Sequence, residues 1–109
     1  MRNFAFALAA LALSFAARAG DANHGKELVK AKGCFACHGE MGDKPSAADQ
    51  PILAGQYNDY LVRALSDYKS GRRTNPIMKG MAGPLSKQEI EDLAAWFSSQ
   101  KKTSLHNQR

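Results

Sequence analysis

Two cysteines and a histidine stand together in Cys34-Phe35-Ala36-Cys37-His38, and the 109 residues contain no other cysteine. Two thiols three positions apart, with histidine directly after the second, form the pattern by which a chain attaches haem. Each thiol adds across a vinyl group of the porphyrin, and the two thioethers fix the ring to Cys34 and Cys37. His38 then lies beneath the iron, where an imidazole nitrogen serves as an axial ligand. Other chemistries use the same residue types. A Cys34–Cys37 disulfide suits an exported chain, and a C-x-x-C pair also occurs in redox enzymes at a strand-to-helix junction. This chain shows almost no strand signal, with two Val, three Ile and two Thr after residue 19 and no alternating run. A zinc site calls for a second closely spaced pair, and only His24 and His106 remain, far apart.

An iron held by His38 has a second axial position to fill. Met41, Met78, Met81, His24 and His106 are the available donors. Met41 follows His38 by three residues, too soon to cross to the opposite face. His24 falls in the first helical stretch and reads as a solvent-facing side chain, and His106 lies in a polar tail. Met78 and Met81 belong to a Gly/Pro-rich segment of the kind that wraps a cofactor face. A thioether ligand there raises the reduction potential. The residue pattern alone leaves Met78 and Met81 both open, as ligand or as packing against the ring.

Three stretches with helical periodicity must position these groups. The first spans 22–32, with Asp21 or Asn23 as its cap and Gly33 as its stop. The second follows Gly55 and runs to 70, carrying Tyr57, Tyr60, Leu61, Ala64, Leu65 and Tyr68 at three- and four-residue intervals before Gly71. The third opens on the capping box Ser86-Lys87-Gln88-Glu89 and places Ile90, Leu93, Ala94 and Phe97 on one face. Segments 39–51 and 71–84 read as loops. The fold class is therefore all-α in one domain.

Composition points the same way. The first 19 residues hold a short basic start, an apolar run and the small-x-small site Ala17-Arg18-Ala19, the marks of a cleaved secretory signal peptide. The run is too short to span a bilayer. A domain over 20–100 and a polar tail over 101–109 follow. Of the 90 residues after the signal, 14 are Leu, Ile, Val or Phe, about 16%, a fraction low enough to suggest disorder in a highly charged chain. The formal charge is +5 overall and falls to +3 once Arg2 and Arg18 are removed, so repulsion is not the reason. Haem explains the shortage by supplying apolar volume itself. Leu28, Ile52, Leu53, Leu61, Leu65, Ile77, Leu85, Leu93 and Phe97 are the expected lining, and the chain without haem is expected to be largely unfolded.

Four landmarks in order resemble a short bacterial class I c-type cytochrome: Cys34 to Gly39, then Pro51-Ile52-Leu53-Ala54-Gly55-Gln56-Tyr57, then Met78-Lys79-Gly80-Met81, then Pro84-Leu85-Ser86 through Trp96-Phe97. Such single-haem units occur alone or paired in dihaem proteins. The resemblance implies three main helices and loops wrapped around one covalent haem c, with His38 and Met78 as iron ligands. It further implies that the Pro51 carbonyl accepts a hydrogen bond from the His38 ring, fixing its orientation and raising its basicity. Gly25 matches the small residue that lets the last helix cross closely near Trp96 or Phe97. The loop before Met78 is shorter than in many such units.

The function so implied is one-electron transfer without enzymatic turnover. The chain is expected to be a soluble periplasmic shuttle between a quinol-oxidising complex and a terminal oxidase or reductase, touching membrane complexes transiently, as a monomer or weak dimer. The alternative is a haem subunit of a substrate-oxidising dehydrogenase. A labile methionine and a gas-binding iron form a third possibility. Lys69, Arg72, Arg73 and Lys79 make a modest basic cluster for docking an acidic partner. Acids interspersed among the basic residues argue against nucleic acid.

Overall fold

A computed structural model describes residues 20–102. The proposed signal over 1–19, residues 103–109 of the tail and His106 lie outside the described residues. Five helices follow in order: α1 Ala22–Ala31, α2 Phe35–His38, α3 Asn58–Ser70, α4 Pro76–Ala82 and α5 Lys87–Ser98. No strand occurs among the described residues. None of these helices is long and apolar enough to cross a membrane.

Local chemistry sets the helix ends. Asp21 caps α1, its carboxylate accepting from the N–H groups of Asn23 and His24. Gly71 is the C-cap of α3. At α5 the capping box is complete, with Ser86 Oγ accepting from Glu89 N–H and the Glu89 carboxylate accepting from Ser86 N–H. The hydrogen bond from the Ser86 backbone holds the Glu89 carboxyl below its ordinary range.

Two helices exceed the three that periodicity predicts. α2 is a single turn, too short to show a repeat. α4 lies inside the segment read as a loop. Asn75 accepts from the N–H groups of Ile77 and Met78 at 3.0 and 3.1 Å, and Pro76 stands at the first helical position, where its missing donor costs nothing. The Asn75-Pro76 pair, which also marks turns, is here a cap and a first residue.

α1 packs on α5, and α3 packs on both α5 and α4. Leu28, Val29, Leu61, Ala82, Leu85, Ile90, Leu93, Ala94 and Phe97 form the buried cluster. Ile77 of α4, expected among the lining residues of the haem, lies outside this cluster and is 71% exposed. Lys69 reaches across from α3 to the carbonyls of Gly83 (2.8 Å) and Leu85 (2.5 Å), tying the chain beyond α4 back to the bundle.

The α1–α5 crossing is very close. A Cβ on Gly25 would stand 2.0 Å from the Asp92 carbonyl oxygen and 2.9 Å from Trp96 Cβ, so only glycine permits this approach. Asp92 is 2% exposed, and its carboxylate is surrounded by donors. It accepts from Asp21 N–H at 2.7 Å and from Gln88 Nε2 at 2.8 Å, and its other oxygen lies 2.6 Å from His24 Nδ1. His24 is thus partly exposed but engaged, not simply solvent-facing. Burial pushes the Asp92 carboxyl up, yet the hydrogen bonds from Asp21, His24 and Gln88 outweigh it and hold the group below its ordinary range. The bond to Asp92 raises His24.

The two shifts predict opposite limbs in a stability profile. The His24 contribution is complete below its ordinary value of 6.5 and disappears as pH rises through the higher folded value. The Asp92 contribution is present above 3.8 and disappears as pH falls through the lower folded value. Urea unfolding of the haem-loaded protein is expected to show stability falling as pH rises above 6.5 and through the raised folded value of His24. His24→Gln is expected to flatten that alkaline limb and to weaken the acid limb without abolishing it, since Asp21 and Gln88 still donate to Asp92.

Candidate haem-attachment site

The site begins where α1 ends. Gly33 turns the chain, and Cys34 N-caps the single turn of α2, which carries Cys37 and His38. Both thiols are half-buried and are not joined to one another. Burial pushes the Cys34 thiol above its ordinary value. A redox-active C-x-x-C pair needs the reverse, a depressed pKa that supplies thiolate.

His38 is buried, with 6% of its surface exposed. Its Nδ1 lies 3.0 Å from the Pro51 carbonyl oxygen. A carbonyl only accepts, so Nδ1 carries the hydrogen, and in the neutral imidazole Nε2 is then the nitrogen with the lone pair. The ring therefore has one nitrogen bound to the protein and the other in the form that binds a metal.

Segment 39–55 brings Pro51 to this position. It leaves α2 through Lys44 N–H to His38 O (3.2 Å) and Ser46 N–H to Cys37 O (3.0 Å). It then folds on itself, with Leu53 and Ala54 N–H both donating to the Gly42 carbonyl at 2.7 and 3.1 Å. The end of α5 clamps both strands of this fold. Trp96 Nε1 donates to the Glu40 carbonyl at 2.8 Å, and Gly55 N–H donates to the Phe97 carbonyl at 2.9 Å. Lys26 of α1 stands 5.6 Å over the Trp96 ring.

α4 supplies the two methionines that sequence leaves open. Met78, in its first turn, is half-buried, with its N–H bound to Asn75. Met81 is 37% exposed. Its methyl group lies 3.9 Å from where a Cβ of Gly33 would be, so it sits beside the entry to the cysteine motif. Met41 is 47% exposed in the turn after α2, and His24 is bound to Asp92. Phe35, Tyr57, Tyr60 and Ile77 are further large apolar side chains left exposed. These residues fit a covalent haem: paired thiols beside an imidazole with Nε2 available, a thioether on a separate helix, and abundant apolar surface.

The basic cluster changes on folding. Lys69, though exposed, is engaged by two carbonyls, those of Gly83 and Leu85. Arg73 stacks over Tyr68 at 5.0 Å, and Lys79 Nζ comes within 3.7 Å of a Cβ position at Gly71. Arg72 and Arg73 line an open cavity of about 470 Å³ with Tyr68, Thr74, Asn75 and Pro76.

Among the described residues no group of three or more His, Cys, Asp or Glu is placed to hold a metal ion. A model of the cytochrome c family matches residues 22–101. Cytochrome c4 of Pseudomonas aeruginosa is 47% identical over 83 residues, covering 76% of this chain and 40% of the relative. Cytochrome c-553 of Helicobacter pylori is 33% identical over 101 residues, covering 93% of this chain and 100% of the relative. Among solved structures, reduced recombinant cytochrome c4 from Pseudomonas stutzeri superimposes with a TM-score of 0.69 at 44% identity, over 76% of this chain and 47% of that one. The chain spans less than half the length of the cytochrome c4 relatives it matches. The all-helical architecture is that of the cytochrome c fold.

Gly42 offers a direct test of the clamp. Its φ is +75°, and a Cβ there would stand 2.6 Å from Phe97 Cδ1. Gly42→Ala combines backbone strain with overpacking and is expected to cost roughly 2–4 kcal/mol, read as a lower urea midpoint at unchanged slope.

Proposed function

Because the chain belongs to the cytochrome c family, we propose that it is a one-electron carrier whose haem iron is bound by His38 and Met78. A cytochrome c domain carries covalent haem c, and Cys34 and Cys37 stand in the matching C-x-x-C-H pattern. The observation that carries the proposal is the His38 ring: its Nδ1 is held by the Pro51 carbonyl at 3.0 Å, which leaves Nε2 as the donor atom. When bound, haem supplies an iron that alternates between ferric and ferrous states.

The residues of this chain then have distinct tasks. Cys34 and Cys37 hold the porphyrin by two thioethers. Pro51 orients the His38 imidazole and raises its basicity, as partners of metal-bound histidines do. Met78 would be the sixth ligand, as the Met78-Lys79-Gly80-Met81 landmark of the family resemblance implies. Met81, beside Gly33, packs. With haem bound, His38 and Met78 would both ligate the iron and leave substrate no direct access to it, which suits electron transfer without enzymatic turnover.

The partners proposed are a quinol-oxidising complex as donor and a terminal oxidase or reductase as acceptor, met in the periplasm. Arg72, Arg73 and Lys79 are exposed near one another and suit an acidic docking face, whose association slows as salt rises.

The visible spectrum and reduction potential of the purified protein test the reading. A low-spin ferrous form that does not bind carbon monoxide is expected, with a methionine–iron charge-transfer band in the ferric state. Met78→Ala is expected to abolish that band and lower the potential, and His38→Ala to abolish stable low-spin haem. Loss of the band in Met81→Ala instead would reassign the ligand.

A further inference from the structure

The turn that delivers Pro51 is organised by one side chain. The carboxamide oxygen of Gln50 accepts from Ser46 N–H at 2.9 Å, Ser46 Oγ–H at 2.8 Å and Ala47 N–H at 2.9 Å. Backbone N–H groups only donate, so the acceptor is the amide oxygen and not its nitrogen. Gln50 N–H closes the same turn on the Ala47 carbonyl at 3.1 Å. Ser46 N–H is shared, since it also reaches the Cys37 carbonyl at 3.0 Å. Through that shared hydrogen, the residue before Pro51 is linked to the residue before His38.

Apolar packing does little for this turn. Ser46, Ala47, Ala48, Asp49 and Pro51 are all exposed. Beyond Pro51, the chain is anchored at the buried Ile52, at Leu53 and Ala54 on the Gly42 carbonyl, and at Gly55 on the Phe97 carbonyl. The Pro51 carbonyl is therefore suspended between two anchors, and the one on its N-terminal side is the Gln50 amide.

We propose that Gln50 is a positioning residue for the axial histidine: its carboxamide oxygen folds turn 46–50 and thereby holds the Pro51 carbonyl against His38 Nδ1. The inference rests on the assignment of His38 as an iron ligand. A firm bond at Nδ1 makes the imidazole a stronger donor and stabilises ferric iron. Loosening that bond weakens the donor and raises the reduction potential.

The test uses three variants of the haem-loaded protein. Gln50→Ala and Gln50→Met remove the acceptor, the second at similar side-chain length, so a poorly folding alanine variant leaves the measurement intact. Both are expected to raise the potential and to speed solvent exchange of the His38 Nδ1 hydrogen, followed by NMR in the diamagnetic ferrous state. Gln50→Glu keeps acceptor oxygens and is expected to restore slow exchange; its added charge acts on the potential separately, so exchange is its readout. Wild-type potential and exchange in Gln50→Met, with a normal low-spin spectrum, would overturn the role of Gln50 and leave the proposed function standing. Low-spin haem persisting in His38→Ala would instead overturn the ligand assignment itself.

Discussion

The crossing of α1 over α5 is the contact on which the rest of the structure depends. A backbone carbonyl of α5, at Asp92, stands where a side chain on Gly25 would begin. The Asp92 carboxylate then gathers the start of α1, binding Asp21 N–H and His24. A buried carboxylate without donors is costly, and a carboxylate with three hydrogen-bond partners is stable only where those partners meet. The pair therefore specifies position and angle together: α1 docks where it satisfies Asp92, at a distance that only Gly25 allows.

The consequences run along α5. One turn beyond Asp92, Trp96 and Phe97 take hold of segment 39–55 at Glu40 and Gly55, and the Phe97 ring fills the space beside Gly42. That segment carries Pro51 to His38. The helix that closes the bundle thus also supports the axial histidine, although none of its residues belongs to the cysteine motif. A redox site benefits from such support, because a ligand held in one orientation keeps rearrangement small when the iron changes charge. The sparse aliphatic content fits the same arrangement. Nine buried apolar residues join α1, α3, α4 and α5, and a covalent porphyrin adds apolar volume that the chain does not encode.

Much of this was legible in the residues, and the reason is locality. The capping box at Ser86, the Asp21 cap and the Cys34 to His38 motif each act within five residues, so their geometry is written in their spacing. α4 was obscured because Asn75-Pro76 marks both a turn and a helix start, and Gly80 and Gly83 weaken the periodicity that would decide between them. The bonds of Lys69 to the Gly83 and Leu85 carbonyls were equally hidden, because a surface lysine carries no mark of the carbonyls it will meet. Gln50 resembled any polar loop residue until its oxygen was found among three donors.

By itself the sequence determined the cofactor chemistry, the helical class and the ends of three helices, because each follows from groups a few bonds or one turn apart. Tertiary structure alone decided that His24 belongs to Asp92, 68 residues away, and that α5 braces the loop behind His38. The Pro51 carbonyl that holds His38 Nδ1 comes from 13 residues on, through a turn with no periodic signal, so only the family resemblance, and not the local pattern, pointed to it. Hydrogen bonds between distant groups need a particular distance and direction, and those exist only after the helices have packed.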